Sequence, residues 1–161
     1  MKKQLPLLLA AVCALGLVGC QPTPTAAPAA SGTYQVYDGY LTVKDNQLLV
    51  NDFLFIDQAD TDWIDTLQLT ETDMPNGYYI YDESEELLTF TLNEATRYNF
   101  FDTGALFVDE NAPNRQYTTT DLTQFLAKFD AGNGGSLGKT PFEIQVLEDG
   151  RVISISEIFI N

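Results

Sequence analysis

The stretch "PFEIQVLEDGRVISISEIFI", residues 141–160, gives the strongest indication of the fold. Two alternating apolar runs flank Asp149-Gly150, which is the composition that a two-residue type I′ hairpin turn requires. Counting outward from the turn pairs apolar residues on one face, namely Val146 with Ile153 and Ile144 with Ile155. The same count sets Phe142 opposite Glu157, which predicts either a place at the sheet rim or a bulge. We therefore expect a structural hairpin that closes the core.

Strand periodicity recurs in the rest of the folded part. The segment "LLTFTL", residues 87–92, alternates apolar residues with threonines, which is typical of a strand with one buried face. We expect it to pair with "YYIY", residues 78–81, through the acidic connection "DESEE". "TRYNF", residues 96–100, has the same period. "YLTVKDNQLLVNDFLFI", residues 40–56, predicts two strands joined at residues 44–47, the second too uniformly apolar for its buried face to be assigned.

Two segments follow the helical period instead. "TTTDLTQFLAKF", residues 118–129, has apolar residues at i, i+3, i+4 and i+7, which are Leu122, Phe125, Leu126 and Phe129. Asp121 at its start and Gly132 after its end are the signals expected at helix termini. "DTDWIDTL", residues 60–67, predicts a shorter helix. The predicted class is α+β, mainly antiparallel β, a curled sheet or open barrel with one amphipathic helix packed on it and a short second helix.

The N-terminus has the composition of an export signal. Two lysines precede an apolar run at residues 5–18, which is shorter than the roughly 20 residues of a membrane-spanning helix. The run ends in "LVGC", residues 17–20, which resembles the lipobox of bacterial lipoproteins. The resemblance implies cleavage before Cys20 and attachment of a lipid to its sulfur. A plain secretory signal peptide with an incidental cysteine is the alternative.

The segment after Cys20 predicts the organisation of the mature chain. "QPTPTAAPAASG" is rich in proline, alanine and threonine and has no charge, so it cannot bury enough apolar surface to fold. We predict a removed lipoprotein signal peptide over residues 1–19, a disordered tether over 20–32 and a single globular domain over 33–161. Cys13 falls within the removed peptide, so no disulfide is expected in the domain.

Composition excludes several classes of function. The chain has 8 basic and 23 acidic residues, a formal net charge of −15, which argues against nucleic acid as a partner. It has no histidine, and lipidation of Cys20 leaves no free thiol, so Ser-His and Cys-His nucleophiles and His/Cys zinc sites are excluded. Carboxylate pairs remain as possible catalysts, but no pair is distinguished. We predict no catalytic residue and no cofactor.

The segment "GNGGSLGKTP", residues 132–141, ends like a phosphate-binding loop in "GKT". The motif G-x-x-x-x-G-K-[ST] would place its first glycine at Asn133, and Gly132 is one residue too early. Phosphate loops also leave a strand and enter a helix, whereas this segment leaves a predicted helix and enters a strand. We therefore predict a flexible connection and no nucleotide partner.

The acidic residues from Asp60 onward suggest an EF-hand calcium loop. Asp60, Asp62 and Glu71 fit its positions 1, 3 and 12, but position 6, which needs glycine for a sharp turn, is Asp65. We predict no metal and expect these carboxylates to start and solvate the short helix. The apolar residues of that helix are then expected to point inward, namely Trp63, Ile64 and Leu67. A weak calcium site of another design is the alternative.

The tyrosines of "YYIY" are candidate ligand-binding residues. Strand alternation puts Tyr79 and Tyr81 on one face and Tyr78 with Ile80 on the other. Tyr78, Tyr79 or Tyr81 would then lie where it can stack on a sugar or anchor a protein partner. Packing at half-buried sheet positions is the alternative role.

Several segments together resemble a group of small secreted or lipid-anchored proteins of Gram-positive anaerobes: "MPNGYYIY" at 74–81, "TRYNFFD" at 96–102, "YTTTD" at 117–121 and the ending at 141–161. The resemblance covers most of the folded domain and implies no activity for any residue. Its recurrent residues fit turn and rim positions as well as a site, namely Gly77, Asp102, Gly150 and Glu157. From these resemblances, the function of the lipobox can be carried over to this chain, and it applies to Cys20.

These observations predict a lipid-anchored domain at the extracytoplasmic face of the cell membrane. Its expected role is that of a non-enzymatic module that binds an extracellular ligand or protein. The alternative is a carboxylate-dependent envelope hydrolase. The two hypotheses differ in whether acidic residues from different strands converge.

Overall fold

The computed structural model describes residues 33–84, 86–130 and 136–160. The elements in chain order are β1 Tyr34–Lys44, β2 Gln47–Asp57, α1 Thr61–Leu67, β3 Tyr78–Tyr81, β4 Leu87–Thr91, β5 Arg97–Phe101, β6 Gln116–Thr119, α2 Leu122–Asp130, a 3-10 turn Ser136–Lys139, β7 Pro141–Leu147 and β8 Val152–Glu157. The predicted signal peptide, Cys20 and the predicted tether lie outside the described residues. Within those residues, no helix has the length and apolar character needed to cross a membrane.

The strands form one open sheet in the order β3-β2-β1-β7-β8-β5-β6, with β4 paired to β2. All neighbouring strands in this order are antiparallel except β5 and β8, which run parallel. β3 and β6 stand at the two ends of the order, so the sheet does not close on itself. The predicted α+β class is confirmed, with a curled sheet, one packed amphipathic helix and a short second helix.

The C-terminal hairpin forms where it is predicted, but its turn has three residues rather than two. Leu147 N donates to Arg151 O and Gly150 N donates to Leu147 O, both at 2.9 Å. Gly150 has φ at +83°, and Asp149 is not among the described residues with positive φ. The turn is therefore a type I turn followed by a left-handed glycine, which Asp-Gly also suits, and the predicted type I′ turn is wrong.

A bulge restores the predicted register beyond this turn. The longer turn pairs Val146 with Val152, and Ile153 is the extra residue that shifts the pairing back by one. The predicted partner of Val146 was therefore wrong, and Val152, 1% exposed, takes the core position expected for Ile153. The remaining predicted pairs are confirmed, namely Ile144 with Ile155 and Phe142 with Glu157.

The predicted pairing of residues 78–81 with residues 87–92 is wrong. β3 pairs with residues 54–57 of β2, and β4 pairs with residues 47–51, both antiparallel. Two strands antiparallel to the same strand run in the same direction, so their connection cannot be a hairpin turn. β2 has eleven residues, which is long enough to pair with both short strands. The predicted faces of β4 are confirmed, because its threonines are exposed and Leu88 and Phe90 pack against the core.

The core lies between α2 and one face of the sheet. Asp121 caps the helix, since its Oδ1 accepts a hydrogen bond from Thr123 N at 2.8 Å. The predicted apolar stripe of α2 faces the sheet, with Phe125 and Phe129 buried and its two leucines half-buried. The sheet contributes the facing side chains Leu41, Leu48, Val50, Tyr98, Phe100, Phe142, Ile144, Val146, Val152 and Ile155.

Helix α1 forms within the predicted residues 60–67 but buries none of its residues completely. Ile64 and Leu67 are half-buried, whereas Trp63 is 45% exposed, so the expected inward orientation of Trp63 is wrong. A helix of seven residues makes a contact too narrow to cover a third large side chain.

Candidate ligand-binding face

The sheet face opposite α2 carries four aromatic rings on β1, β2 and β3. The rings of Tyr40 and Phe53 lie 4.8 Å apart, and those of Phe55 and Tyr78 lie 5.3 Å apart with planes only 12° from parallel. The register brings them together, because Tyr40 pairs with Asn51 and is diagonal to Phe53. Phe53 is 7% exposed and the other three are half-buried. We call Tyr40, Phe53, Phe55 and Tyr78 the aromatic face.

Carboxylates border the aromatic face. Asp38 pairs with Phe53 on one side and with Glu143 of β7 on the other, so the two acids lie side by side on the same sheet face. Burial, and then the charges of Glu143 and Asp52, raise the pKa of Asp38 to about 6. Burial and then Asp82 raise the pKa of Asp52. Asp38 and Glu143 are close enough to repel one another, whereas Asp52 pairs with Gly39 and lies on the opposite face of the sheet.

A cleft of about 480 Å³ is lined by Asn51, Asp82, Glu83, Ser84 and Leu87. Asn51 Nδ2 donates to Asp82 Oδ2 at 2.8 Å. Asn51 Oδ1 is buried and accepts no hydrogen bond from the described residues. Burial, followed by Asp82 and Tyr78, raises the pKa of the Tyr40 hydroxyl, so this ring lies near the cleft. The cleft and the aromatic face together present mainly hydrogen-bond acceptors.

The structure separates the three tyrosines predicted to bind a ligand. Tyr78 belongs to the aromatic face, whereas Tyr79 and Tyr81 point to the opposite side of β3, as strand alternation predicts. All three are half-buried. Tyr78 therefore stays in the candidate site, and Tyr79 and Tyr81 do not.

The sequence patterns do not point to most of the candidate site. Tyr40, Phe53 and Phe55 lie in the segment whose buried face was not assigned, and Asp38 and Glu143 were not distinguished from other acids. One signal could have found part of it. Lys44 pairs with Gln47 across the turn, and counting back from this pair places Asp38 opposite Phe53.

The acidic residues before and within α1 have local structural roles. Asp60 Oδ2 accepts a hydrogen bond from Asp57 N at 2.8 Å, and Asp57 Oδ1 accepts one from Ala59 N at 2.6 Å. These contacts stabilise the turn that leads into the helix. Across residues 33–84, 86–130 and 136–160, no three His, Cys, Asp or Glu side chains are placed to hold a metal ion.

The glycine-rich segment joins a helix to a strand, as predicted. α2 ends at Asp130 and β7 begins at Pro141, and residues 131–135 lie outside the description. Leu137 of the intervening 3-10 turn is buried in the core. The "GKT" sequence thus leads into a strand, not into the helix N-terminus on which phosphate loops depend.

The ionised carboxylate of Asp38 is expected to lower the stability of the protein at neutral pH but not at acidic pH. Its folded pKa of about 6 lies above the ordinary value of 3.8, so folding disfavours its carboxylate, and this cost is relieved as the pH falls through about 6. Asp38→Asn should raise the free energy of unfolding by on the order of 1–2 kcal/mol at about pH 7.5, and most of that gain should vanish at about pH 4. Urea unfolding at both pH values measures this. The exposed Asp62→Asn controls for net charge, and an equal gain at both pH values would contradict the prediction.

Comparison with known protein families, curated proteins and solved structures finds no match for this chain. The chemistry of the aromatic face and its carboxylates is therefore the basis for a functional proposal.

Proposed function

We propose that this protein is a lipid-anchored extracytoplasmic domain that binds an extracellular ligand or protein through the aromatic face. One observation carries the binding role: four rings lie together on the sheet face that α2 leaves uncovered, and three of them are only half-buried. Aromatic rings with an exposed edge and a polar border supply large contact area at low cost in side-chain entropy. Their position favours recognition over a purely structural role.

The anchor is supported by the order of signals at the N-terminus. A basic start, an apolar run and "LVGC" precede an uncharged tether, so the lipid on Cys20 would hold the domain near the outer surface of the membrane. The tether of residues 20–32 would let the domain turn its aromatic face toward a ligand.

Cys20→Ala is expected to release the protein from membranes or to stall its processing. The substitution removes the sulfur that would carry the lipid, and no second anchor is proposed. Metabolic labelling with a radioactive fatty acid, followed by membrane fractionation, measures both effects. Cys13→Ala is the matched control and should leave labelling unchanged. Membrane-bound, unlabelled Cys20→Ala protein would show that the anchor is not this lipid.

Site-specific photo-cross-linking tests the binding face in the intact cell. A photoreactive phenylalanine analogue replaces Tyr78 in one variant and Tyr81 in another, so that the probe stands on opposite sides of the same strand. We expect adducts from position 78 and few from position 81. Equal yields, or adducts from position 81 alone, would refute the proposed face.

A carboxylate-dependent hydrolase is the second candidate function, because Asp38 and Glu143 come from different strands and lie side by side. The raised pKa of Asp38, to about 6, suits a general acid, and the Glu143 carboxylate would be the nucleophile or base. A panel of chromogenic nitrophenyl glycosides tests this function. Turnover that Glu143→Gln abolishes would support it, and absence of turnover would leave glycoside hydrolysis without support.

A further inference from the structure

The border of the aromatic face carries negative charge without a neutralising partner. In the part of the chain that the structure describes, none of Asp38, Asp82 and Glu143 takes part in a salt bridge. The whole chain is also acidic, with a formal net charge of −15. A positively charged ligand would relieve the repulsion among these carboxylates, whereas a neutral one would leave it in place.

Most of the hydrogen-bonding groups at the border are acceptors. Ionised carboxylates only accept. Asn51 Oδ1 is a buried acceptor that no described donor satisfies, while Nδ2 of the same side chain donates to Asp82. A ligand that donates several hydrogen bonds suits this border. Quaternary ammonium groups donate none, so they match the rings but not the acceptors.

The shape of a guanidinium group fits both parts of the surface. It is planar, stacks on aromatic rings, donates up to five hydrogen bonds and pairs with carboxylates through two parallel bonds. An ammonium group is more strongly hydrated than a guanidinium group, so it loses more hydration free energy on contact with half-buried rings. The rings of Phe55 and Tyr78 already stack on each other, 5.3 Å apart, so a planar cation would extend this stack from an outer ring face.

We propose, resting on the binding role proposed above, that the aromatic face receives an arginine side chain of a basic protein partner. Its guanidinium stacks on Tyr40 or on Tyr78, and its N–H groups donate to the bordering carboxylates. The occupant is thus a segment of another protein, recognised by charge complementarity and by stacking.

Tyrosine ring signals of the full chain in detergent micelles provide the test. The protein is labelled with ¹³C-tyrosine and titrated with acetyl-Gly-Arg-Gly-amide, or with matched peptides that carry citrulline or lysine instead. Citrulline has nearly the shape of arginine but no charge. We expect shifts confined to Tyr40 and Tyr78, with Tyr79 and Tyr81 as internal controls. The citrulline peptide should bind at least about tenfold more weakly, and the lysine peptide should fall in between.

Two variants of equal net charge separate the border from the overall acidity. The double variant Asp38→Asn/Glu143→Gln removes two charges beside the rings. It should lower the affinity for the arginine peptide by about tenfold or more. Asp62→Asn/Asp65→Asn removes the same charge from α1 and should change the affinity by less than about twofold. An equal effect of the two variants, or shifts spread over all tyrosines, would overturn the proposal.

The outcomes also separate this proposal from the binding role on which it rests. Suppose that position 78 gives cross-links but the citrulline peptide binds as tightly as the arginine peptide. This result would support the binding face and refute its preference for a cation. Equally tight binding of a matched peptide with a quaternary ammonium group in place of arginine would refute the preference for a guanidinium group. Loss of the cross-links would refute both proposals.

Discussion

Asp102→Ala is expected to lower the free energy of unfolding by about 2–4 kcal/mol, because it leaves several partly buried N–H groups without an acceptor. Asp102 has no exposed surface, and its carboxylate accepts three backbone hydrogen bonds: from Leu106 N at 3.0 Å, Phe107 N at 2.6 Å and Val108 N at 2.8 Å. These bonds hold the loop that follows β5. Phe107 of that loop stacks on Tyr117 at 4.9 Å, so loss of the loop would also loosen the core edge.

The charge of Asp102 gives this contribution a pH dependence opposite to that of Asp38. Burial raises its pKa, but the three N–H donors and Arg115 outweigh burial and hold the pKa below its ordinary value. A depressed folded pKa stabilises the protein above the ordinary aspartate pKa of 3.8, and this stabilisation is lost as the pH falls through the folded pKa. The carboxylate therefore helps at neutral pH, where Asp38 costs stability.

Urea unfolding at neutral pH measures the effect of Asp102→Ala, with Asp109→Ala as the matched control. Asp109 lies in the same loop but is exposed, and among the described residues its carboxylate accepts hydrogen bonds only from neighbouring Asn111. Its removal should cost less than about 1 kcal/mol. Equal costs for the two variants would mean that the loop does not depend on Asp102.

The sequence predicts local structure here better than it predicts which strands pair. Alternation identifies the faces of β4 and β5, and the apolar stripe identifies α2, because each depends on residues close together in the chain. The pairing of β3 and β4 with β2 depends on the length of β2 and on distant residues. The parallel pairing of β5 with β8 joins Tyr98 to Ile155 across more than fifty residues, and no local pattern reports it.

The hairpin at Asp149-Gly150 shows how two errors can leave a register intact. The turn has one residue more than predicted, and the bulge at Ile153 takes up that residue, so Ile144 still faces Ile155. The recurrent residues of the resemblance also take structural places. Gly77 and Gly150 have positive φ, and Glu157 accepts a hydrogen bond from Phe101 N at 2.8 Å.

The candidate site was harder to predict because it is assembled by pairing. The alternation within its own strand makes Tyr78 a candidate, but its partners in the site are contributed by β1, β2 and β7. Asp38 and Glu143 are more than a hundred residues apart and become neighbours only through the pairing of β1 with β7. In a chain with 23 acidic residues, no local feature distinguishes these two.

Gly39→Ala is expected to destabilise the protein by about 1–3 kcal/mol or more, because a methyl group at this position has no room. Gly39 is buried in β1 between Asp52 of β2 and Phe142 of β7. A Cβ atom there would lie 2.5 Å from Val50 Cγ1 and 2.7 Å from Asn51 O. The valine side chain could rotate away, but the carbonyl belongs to the neighbouring strand, so β1 and β2 would have to move apart.

Gly104→Ala is the matched control, because a Cβ atom there would meet only Leu106 Cγ, at an ordinary 3.9 Å. Its free energy of unfolding, measured with urea, should change by no more than about 0.5 kcal/mol. Adding Val50→Ala to Gly39→Ala removes one of the two close contacts, yet the carbonyl contact remains, so stability should not recover. Since Gly39 stands between Asp38 and Tyr40, it sets the spacing of the strands that place these residues beside Phe53 and Glu143. An unchanged midpoint for Gly39→Ala would mean that β1 and β2 are farther apart than described, and the register that assembles the aromatic face would be wrong.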